Sequence, residues 1–228
     1  NGGYQYERTP DDGHGFIGWK SFVDDPAGKP LKSNSGKIEI YCQQRYDLMA
    51  SYGYPGVEQY KPYPTYVTPC VGYESTFKDG KIGGEKGDYP FIMYNPHYLR
   101  RSHSVFDNCP WLRETWANPV FVSREDAKAK GISDGDTVLI STPAGKGLRR
   151  AAVLDILLPG VVGVPHGAWV DVDEKTGIDR AGSDNYLIGA EYGGFGVSGY
   201  NNQICNIEKY TGDALEPDCE WPQRIVNA

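Results

Sequence analysis

The chain has 228 residues, a formal net charge of −7 and 39% hydrophobic residues, long enough to bury a sizeable core in one large domain or in a domain with an extension. The acidic balance excludes a general nucleic-acid binder, which needs a broad basic surface, and no run approaches the roughly 20 apolar residues that span a bilayer. The 29 glycines, 16 prolines and 17 tyrosines point away from helical bundles and toward turns, short strands and long ordered loops.

Residues 1 to about 36 are polar, rich in glycine and proline, and carry scattered aromatics at Phe16, Trp19 and Phe22. They read as an ordered segment draped over something else. Asn1 opens in mid-sequence, with neither an initiator methionine nor a signal segment, so the chain is expected to be a fragment. Asp11, Asp12 and His14 have the composition of a metal cluster, but a solvated terminal segment accounts for them. Ser35 to Tyr41 alternates polar and apolar residues in a short strand pattern, and Gln43 to Tyr52 reads as a brief helix stopped at Gly53. Tyr54 to Tyr89 then has prolines, glycines and irregularly spaced tyrosines, the signature of a connector without regular structure. Residues 1–88 are thus expected to form a loop-rich extension that lies against missing parts of a larger protein.

From Tyr89 strand signals become dense, and residues 89–228 are assigned to a β-barrel. Phe91 to Tyr94 is a short apolar strand, and it leads into NPHYLRRSHSVFDNCPWLRE, Asn95 to Glu114. Its first ten residues pack two arginines, two histidines and two serines ahead of a hydrophobic anchor. Such side chains hold anions: guanidinium offers a planar fork to phosphate, while imidazole and hydroxyl add directional hydrogen bonds. Tyr98, Phe106 and Trp111 read as packing anchors, and His97 as a satisfied loop histidine.

Trp111 to Thr115 reads as a helical turn and Pro119 to Val122 as a strand. Ser123 and Asp126 have capping-box spacing for a helix that Gly131 ends. A turn at Asp134 to Asp136, a strand at Thr137 to Ser141, a turn at Pro143 to Gly147, a strand at Leu148 to Leu157 and another at Val161 to Val164 complete the pattern. Arg149 and Arg150 read as one solvated residue and one surface pair. Strands this short, joined by turns, favour a closed barrel. Cys42, Cys70, Cys109, Cys205 and Cys219 contain no C-x-x-C pair, so neither a thiolate zinc site nor an iron–sulfur cluster has its usual spacing.

The arginine loop and PVFVSREDAKAKGISDGDTVLIS, Pro119 to Ser141, together resemble the C-terminal molybdopterin-dinucleotide-binding domain of the dimethyl sulfoxide reductase family. DPAGKPLKSNSGKIEIYCQQ (25–44), LPGVVGVPHGAW (158–169), the asparagine at Asn185 and GYNNQICNIEKY (199–210) are similar to further family segments, in the family's order. The resemblance implies a mainly β fold with small helices, a six-stranded double-psi β-barrel preceded by the loop-rich extension. It also implies a molybdopterin guanine dinucleotide site, in the bis form with molybdenum in the parent enzyme. On this basis Asn95, Arg100, Arg101, Ser102, His103 and Ser104 would line the pterin and pyrophosphate. His166 and Trp169 would lie beside the pterin, and Asn185, Asn201, Asn202 and Gln203 would supply amide contacts. Ser102 stands where many relatives have threonine, and Gln203 lies near a position where some have lysine.

No residue is assigned as metal ligand or catalytic group, so the isolated domain is expected to be inert. The parent would carry out two-electron reduction or oxygen-atom transfer, as in anaerobic respiration. Expected partners are the remaining domains, an iron–sulfur electron-transfer subunit and a membrane anchor subunit, facing outside the cytoplasmic membrane. Any iron–sulfur cluster in the catalytic subunit would lie beyond this chain. The rival reading is a non-catalytic double-psi barrel that binds peptide or carbohydrate, since fold alone does not assign function.

Overall fold

The structure, a computed structural model, describes residues 18–53, 57–190 and 201–216. It divides into two compact units, Asn1–Val67 and Thr68–Ala228. Asp11, Asp12, His14, Phe16 and Cys219 lie outside the described residues, as do the first two residues of the closing segment, Gly199 and Tyr200.

The first unit contains two helices, α1 (Lys20–Asp24) and α2 (Gln43–Ser51). The second is the helix expected before Gly53. No described residue of this unit is buried, and Ile38 and Ile40 are 65% and 71% exposed. The strand expected at Ser35 to Tyr41 does not form, because a lone strand has no ladder to satisfy its backbone groups.

Eight strands organise the second unit: β1 (Phe91–Tyr94), β2 (Pro119–Ser123), β3 (Thr137–Ser141), β4 (Lys146–Leu154), β5 (Val161–Gly163), β6 (Val172–Asp173), β7 (Ile178–Asp179) and β8 (Gln203–Lys209). Their order is β2-β5-β1-β8-β3-β4-β7-β6, and β2 also pairs with β4, which closes six of them into a ring. This is the expected six-stranded double-psi barrel, with the β6–β7 hairpin added at the outer edge of β4. The parallel pairs are β1 with β5, β2 with β4 and β4 with β7. Sequence reading missed β8 as a strand, although it ties β1 to β3, with Phe91 opposite Cys205 and Ile140 opposite Ile207.

The period of two fills the barrel. Met93, Val120, Val122, Val138, Ile140, Val162, Val164, Cys205 and Ile207 all point into one core. The Cys205 thiol is pushed up by burial, so this cysteine behaves as a small hydrophobe. Helix α4 (Arg124–Lys130) begins as its spacing predicts: Ser123 Oγ accepts from Asp126 N at 3.0 Å, and Gly131 ends it in the left-handed region at φ 64°. Helix α3 (Pro110–Thr115) follows Cys109. Residues 68–88 belong to the same unit as the barrel; Thr76 and Phe77 are buried, and Lys86 Nζ sits 3.8 Å from the Phe77 ring centroid.

The strand directions bring several chain ends to one side of the barrel. β1 and β5 run in parallel and finish there, β8 and β2 run antiparallel to them and start there, and β4 passes the start of β2 at Arg150. The connection from Asn95 to Asn118, the crossover after Val164 and the residues before β8 therefore converge at one rim.

Candidate functional site

Two buried knots hold this rim. In the first, Arg100 and Arg101 are 2% and 7% exposed and share Asp107. Arg100 donates from Nε to Asp107 Oδ1 at 3.2 Å and from Nη1 to the Trp116 carbonyl at 3.2 Å. Arg101 donates to Asp107 Oδ1 at 3.1 Å, to Asn118 Oδ1 at 2.7 Å and to the His166 carbonyl at 3.3 Å. Asp107 also accepts from the Trp169 backbone N–H at 3.0 Å, and the Trp169 indole donates to the Ser104 carbonyl at 3.0 Å. Both guanidinium groups thus lie within the protein, cross-linking the arginine loop to the crossover. Asp107 thus serves both cations and a backbone N–H of the crossover at once.

In the second knot Arg149 is fully buried, which corrects the surface placement expected for it. Gly147, Arg149 and Ala151 share the inward parity of β4, so the guanidinium enters the rim, where it donates to the carbonyls of Gly182, Pro119, Pro165 and Gly167 at 2.8–3.3 Å. Burial, and then the charge of Arg101, lower its pKa to about 9, so it still carries its proton at neutral pH. Arg150, on the opposite parity, is half-buried and reaches the Leu215 carbonyl at 2.5 Å.

Two buried aspartates organise the crossover. Asp179 accepts from the backbone N–H groups of Asp171, Ala181 and Ser183 at 2.6–3.1 Å, while desolvation pushes its carboxyl up. Asp184 accepts from Gly167 N at 2.8 Å and Asn95 Nδ2 at 3.3 Å, and its Oδ2 meets His166 Nδ1 at 2.8 Å. His166 Nε2 in turn meets His103 Nδ1. The His97 ring lies 5.4 Å from that of His103 and 5.6 Å from that of His166. Desolvation lowers the pKa of His166, with the neighbouring His103, His97 and Arg101 acting the same way and Asp184 opposing them.

The backbone is strained at the same place. Three of the five non-glycine residues with positive φ among the described residues are His103 (53°), Phe106 (71°) and Ala168 (96°), and such outliers persist where surrounding bonds over-determine them. Gly167, at φ 97°, passes so close to the loop that a Cβ would stand 1.7 Å from the His103 carbonyl oxygen. Phe106 and Trp111 are 54% and 67% exposed rather than packed as anchors, whereas Tyr98 does pack, edge-on to Trp116 and Phe121.

The candidate residues therefore fall into two groups at one rim. Ser102, His103, Ser104, Asn185, Asn201 and Asn202 are exposed, and Asn95, Arg100, Arg101 and Gln203 are buried, with His166 and Trp169 between. Asn201 Oδ1 accepts from the Asn95 backbone N–H, and Gln203 Oε1 from Gly189 N. Sequence reading missed Asp107, Asn118, Arg149, Asp179 and Asp184. The available signal was a carboxylate beside a motif residue, as in Asp184 before Asn185. No group of three or more His, Cys, Asp or Glu side chains among the described residues is disposed to hold a metal ion, and no helix among them is long and apolar enough to cross a membrane.

The rim fits a heterocyclic dinucleotide. Asn95 Oδ1 is buried without a hydrogen-bond partner, an acceptor whose desolvation a ligand N–H would offset. The exposed hydroxyls and amides beside it match a ligand with both phosphate oxygens and a polar ring edge.

Comparison with known proteins agrees. The sequence profile of the Molydopterin dinucleotide binding domain matches residues 91–196. Dimethyl sulfoxide reductase DmsA of Escherichia coli strain K12 is 36% identical over 187 residues, 80% of this chain and 21% of that protein. Trimethylamine-N-oxide reductase of Pasteurella multocida strain Pm70 is 34% identical over 215 residues, 89% of this chain and 24% of that protein. The fold is similar to that of acetylene hydratase from Pelobacter acetylenicus, with a TM-score of 0.59 at 17% identity over 85% of this chain and 28% of that one. The chain thus spans about a fifth to a quarter of the length of the curated relatives it matches. The match favours dinucleotide binding over the non-catalytic peptide or carbohydrate module. Residues 91–196 belong to the molybdopterin dinucleotide-binding domain family, and the chain over four fifths or more of its length is similar to part of a dimethyl sulfoxide reductase and of a trimethylamine-N-oxide reductase.

Proposed function

We propose that this chain is the part of a molybdenum oxidoreductase that seats one end of a bis-molybdopterin guanine dinucleotide, and that the parent protein carries out a two-electron reduction such as oxygen-atom removal from a sulfoxide or N-oxide. When bound, the cofactor supplies the redox chemistry at molybdenum; this chain supplies orientation and electrostatics. Ser102 and Ser104 offer hydroxyl donors to the diphosphate, and Asn185, Asn201 and Asn202 offer amides to the ring edges. Asn95 presents its unpartnered acceptor, and Trp169 and Gln203 hold the walls. Arg100 and Arg101 act from beneath, through the loop shape they impose. The parent would work outside the cytoplasmic membrane, with an iron–sulfur electron-transfer subunit and a membrane anchor.

The observation that carries this reading is the convergence of the exposed polar loop, the orphaned Asn95 oxygen and the buried arginine pair on the rim of the matched domain. Isothermal titration of the chain with GDP and with released molybdopterin guanine dinucleotide tests it, repeated on Ser102→Ala/Ser104→Ala. Saturable binding that weakens at least tenfold in the variant is expected, about 1.4 kcal/mol. Equal binding by variant and wild type would remove the loop from the site.

A further inference from the structure

The chain from Asp184 through His166 to His103 fixes the protons on both imidazoles. Asp184 Oδ1 is taken by the Gly167 N–H, and Asp184 Oδ2 faces Asn95 Nδ2 and His166 Nδ1. With donors on every side the carboxylate is an acceptor throughout, so His166 carries its proton on Nδ1. Its Nε2 is then bare and must accept, so His103 donates from Nδ1. In a neutral ring this leaves the remaining nitrogen of His103, Nε2, as the unprotonated one, without a protein partner among the described residues and on an exposed side chain at the rim.

We propose that Asp184 is a positioning residue that, through His166, makes His103 Nε2 a hydrogen-bond acceptor, so that His103 recognises a ring N–H of the heterocycle and not a phosphate oxygen. This rests on the dinucleotide-binding reading and adds the ligand's orientation to it. A bare imidazole nitrogen repels phosphate oxygens and matches the N–H groups of a reduced pterin. The charged and titratable groups facing His166 are Asp184, His103, His97 and Arg101. Apart from Asp184, all of them, with desolvation, favour its neutral form, which keeps the acceptor in place near neutral pH. Asp184 is itself held among the charges that surround Arg149.

Long-range proton–nitrogen NMR on the imidazole-labelled chain reads the tautomers without any ligand. Wild type should show the Nδ1–H tautomer at both His103 and His166. In Asp184→Asn the amide oxygen stays on the Gly167 N–H and its NH2 faces His166 Nδ1. His166 then moves its proton to Nε2, donates to His103 Nδ1, and leaves His103 protonated on Nε2. His166→Phe, which leaves the carboxylate untouched, should return His103 to the Nε2–H form usual in water, and a wild-type backbone amide spectrum verifies the fold of either variant. An Nε2–H His103 in wild type, or unchanged tautomers in folded variants, overturns the proposal. Tetrahydropterin and pyrophosphate are then added separately. Tetrahydropterin should move the His103 Nε2 signal and bind about tenfold more weakly to Asp184→Asn; pyrophosphate should move neither. A signal moved by pyrophosphate alone overturns the orientation but leaves dinucleotide binding standing. Binding of neither probe, or of released dinucleotide, overturns the dinucleotide reading itself, while the tautomers remain as measured.

Discussion

At the scale of single residues, Arg149 carries the heaviest structural duty. One guanidinium satisfies four carbonyls that close the rim. Arg149→Met would leave them unpaired in a dry site and strip the counter-charge from nearby Asp184. A loss of about 3–5 kcal/mol is expected, read as a lower urea midpoint; a loss below about 1 kcal/mol would mean that the rim reorganises. His166 gives a pH signature whose sign follows from its lowered pKa. The unfolded imidazole takes up a proton near pH 6.5 while the folded one still resists. Its contribution is therefore complete above that pH and is lost as pH falls toward the folded value. Melting temperatures from pH 7.5 to 5 should fall less steeply in His166→Gln than in wild type. Asp179, whose carboxyl is pushed up, has the opposite sign: its buried charge costs stability at neutral pH, and that cost is relieved as pH falls through its raised pKa. None of this was legible in the sequence, because an arginine or aspartate in a glycine-rich stretch reads as solvated until its neighbours are known.

At the scale of elements, the local rules held where the signal was local. Ser123 and Gly131 bound helix α4 as their spacing predicts, so Ser123→Ala should cost about 1 kcal/mol in thermal unfolding. The apolar alternation of β2 and β3 likewise marked both strands. By contrast, β8 was read only as a closing segment, because its polar residues Gln203, Asn206 and Glu208 mask the inward Cys205 and Ile207. The crossover after Val164 has its geometry dictated from outside: Gly167 passes against the His103 backbone, a contact 64 residues apart in sequence. Gly167→Ala combines a left-handed φ with that clash. It should cost about 3 kcal/mol and broaden the NMR signals of residues 102–106 and 166–169 while the barrel strands keep theirs; an unshifted midpoint would show that the loop yields freely.

At the scale of the whole molecule, the two units differ in how they are stabilised. The barrel buries a continuous apolar interior, whereas no described residue of the first unit is buried. Hydrogen exchange should therefore be slowest in β1, β3, β4 and β8 and fast across residues 18–53, with no cooperative unit in the latter. Protection of 18–53 equal to that of the barrel would contradict this. The sequence alone determined the strand periods, the capped helix, the barrel class and the polar loop at Asn95 to Ser104, because each is written in residues close together along the chain. Only the tertiary structure decided that Arg100, Arg101 and Arg149 lie inside, that Asp184 orders two histidines, and that Gly167 presses on His103. Those outcomes depend on closure of the ring, which brings distant segments to one rim and removes the water that would otherwise satisfy their charges.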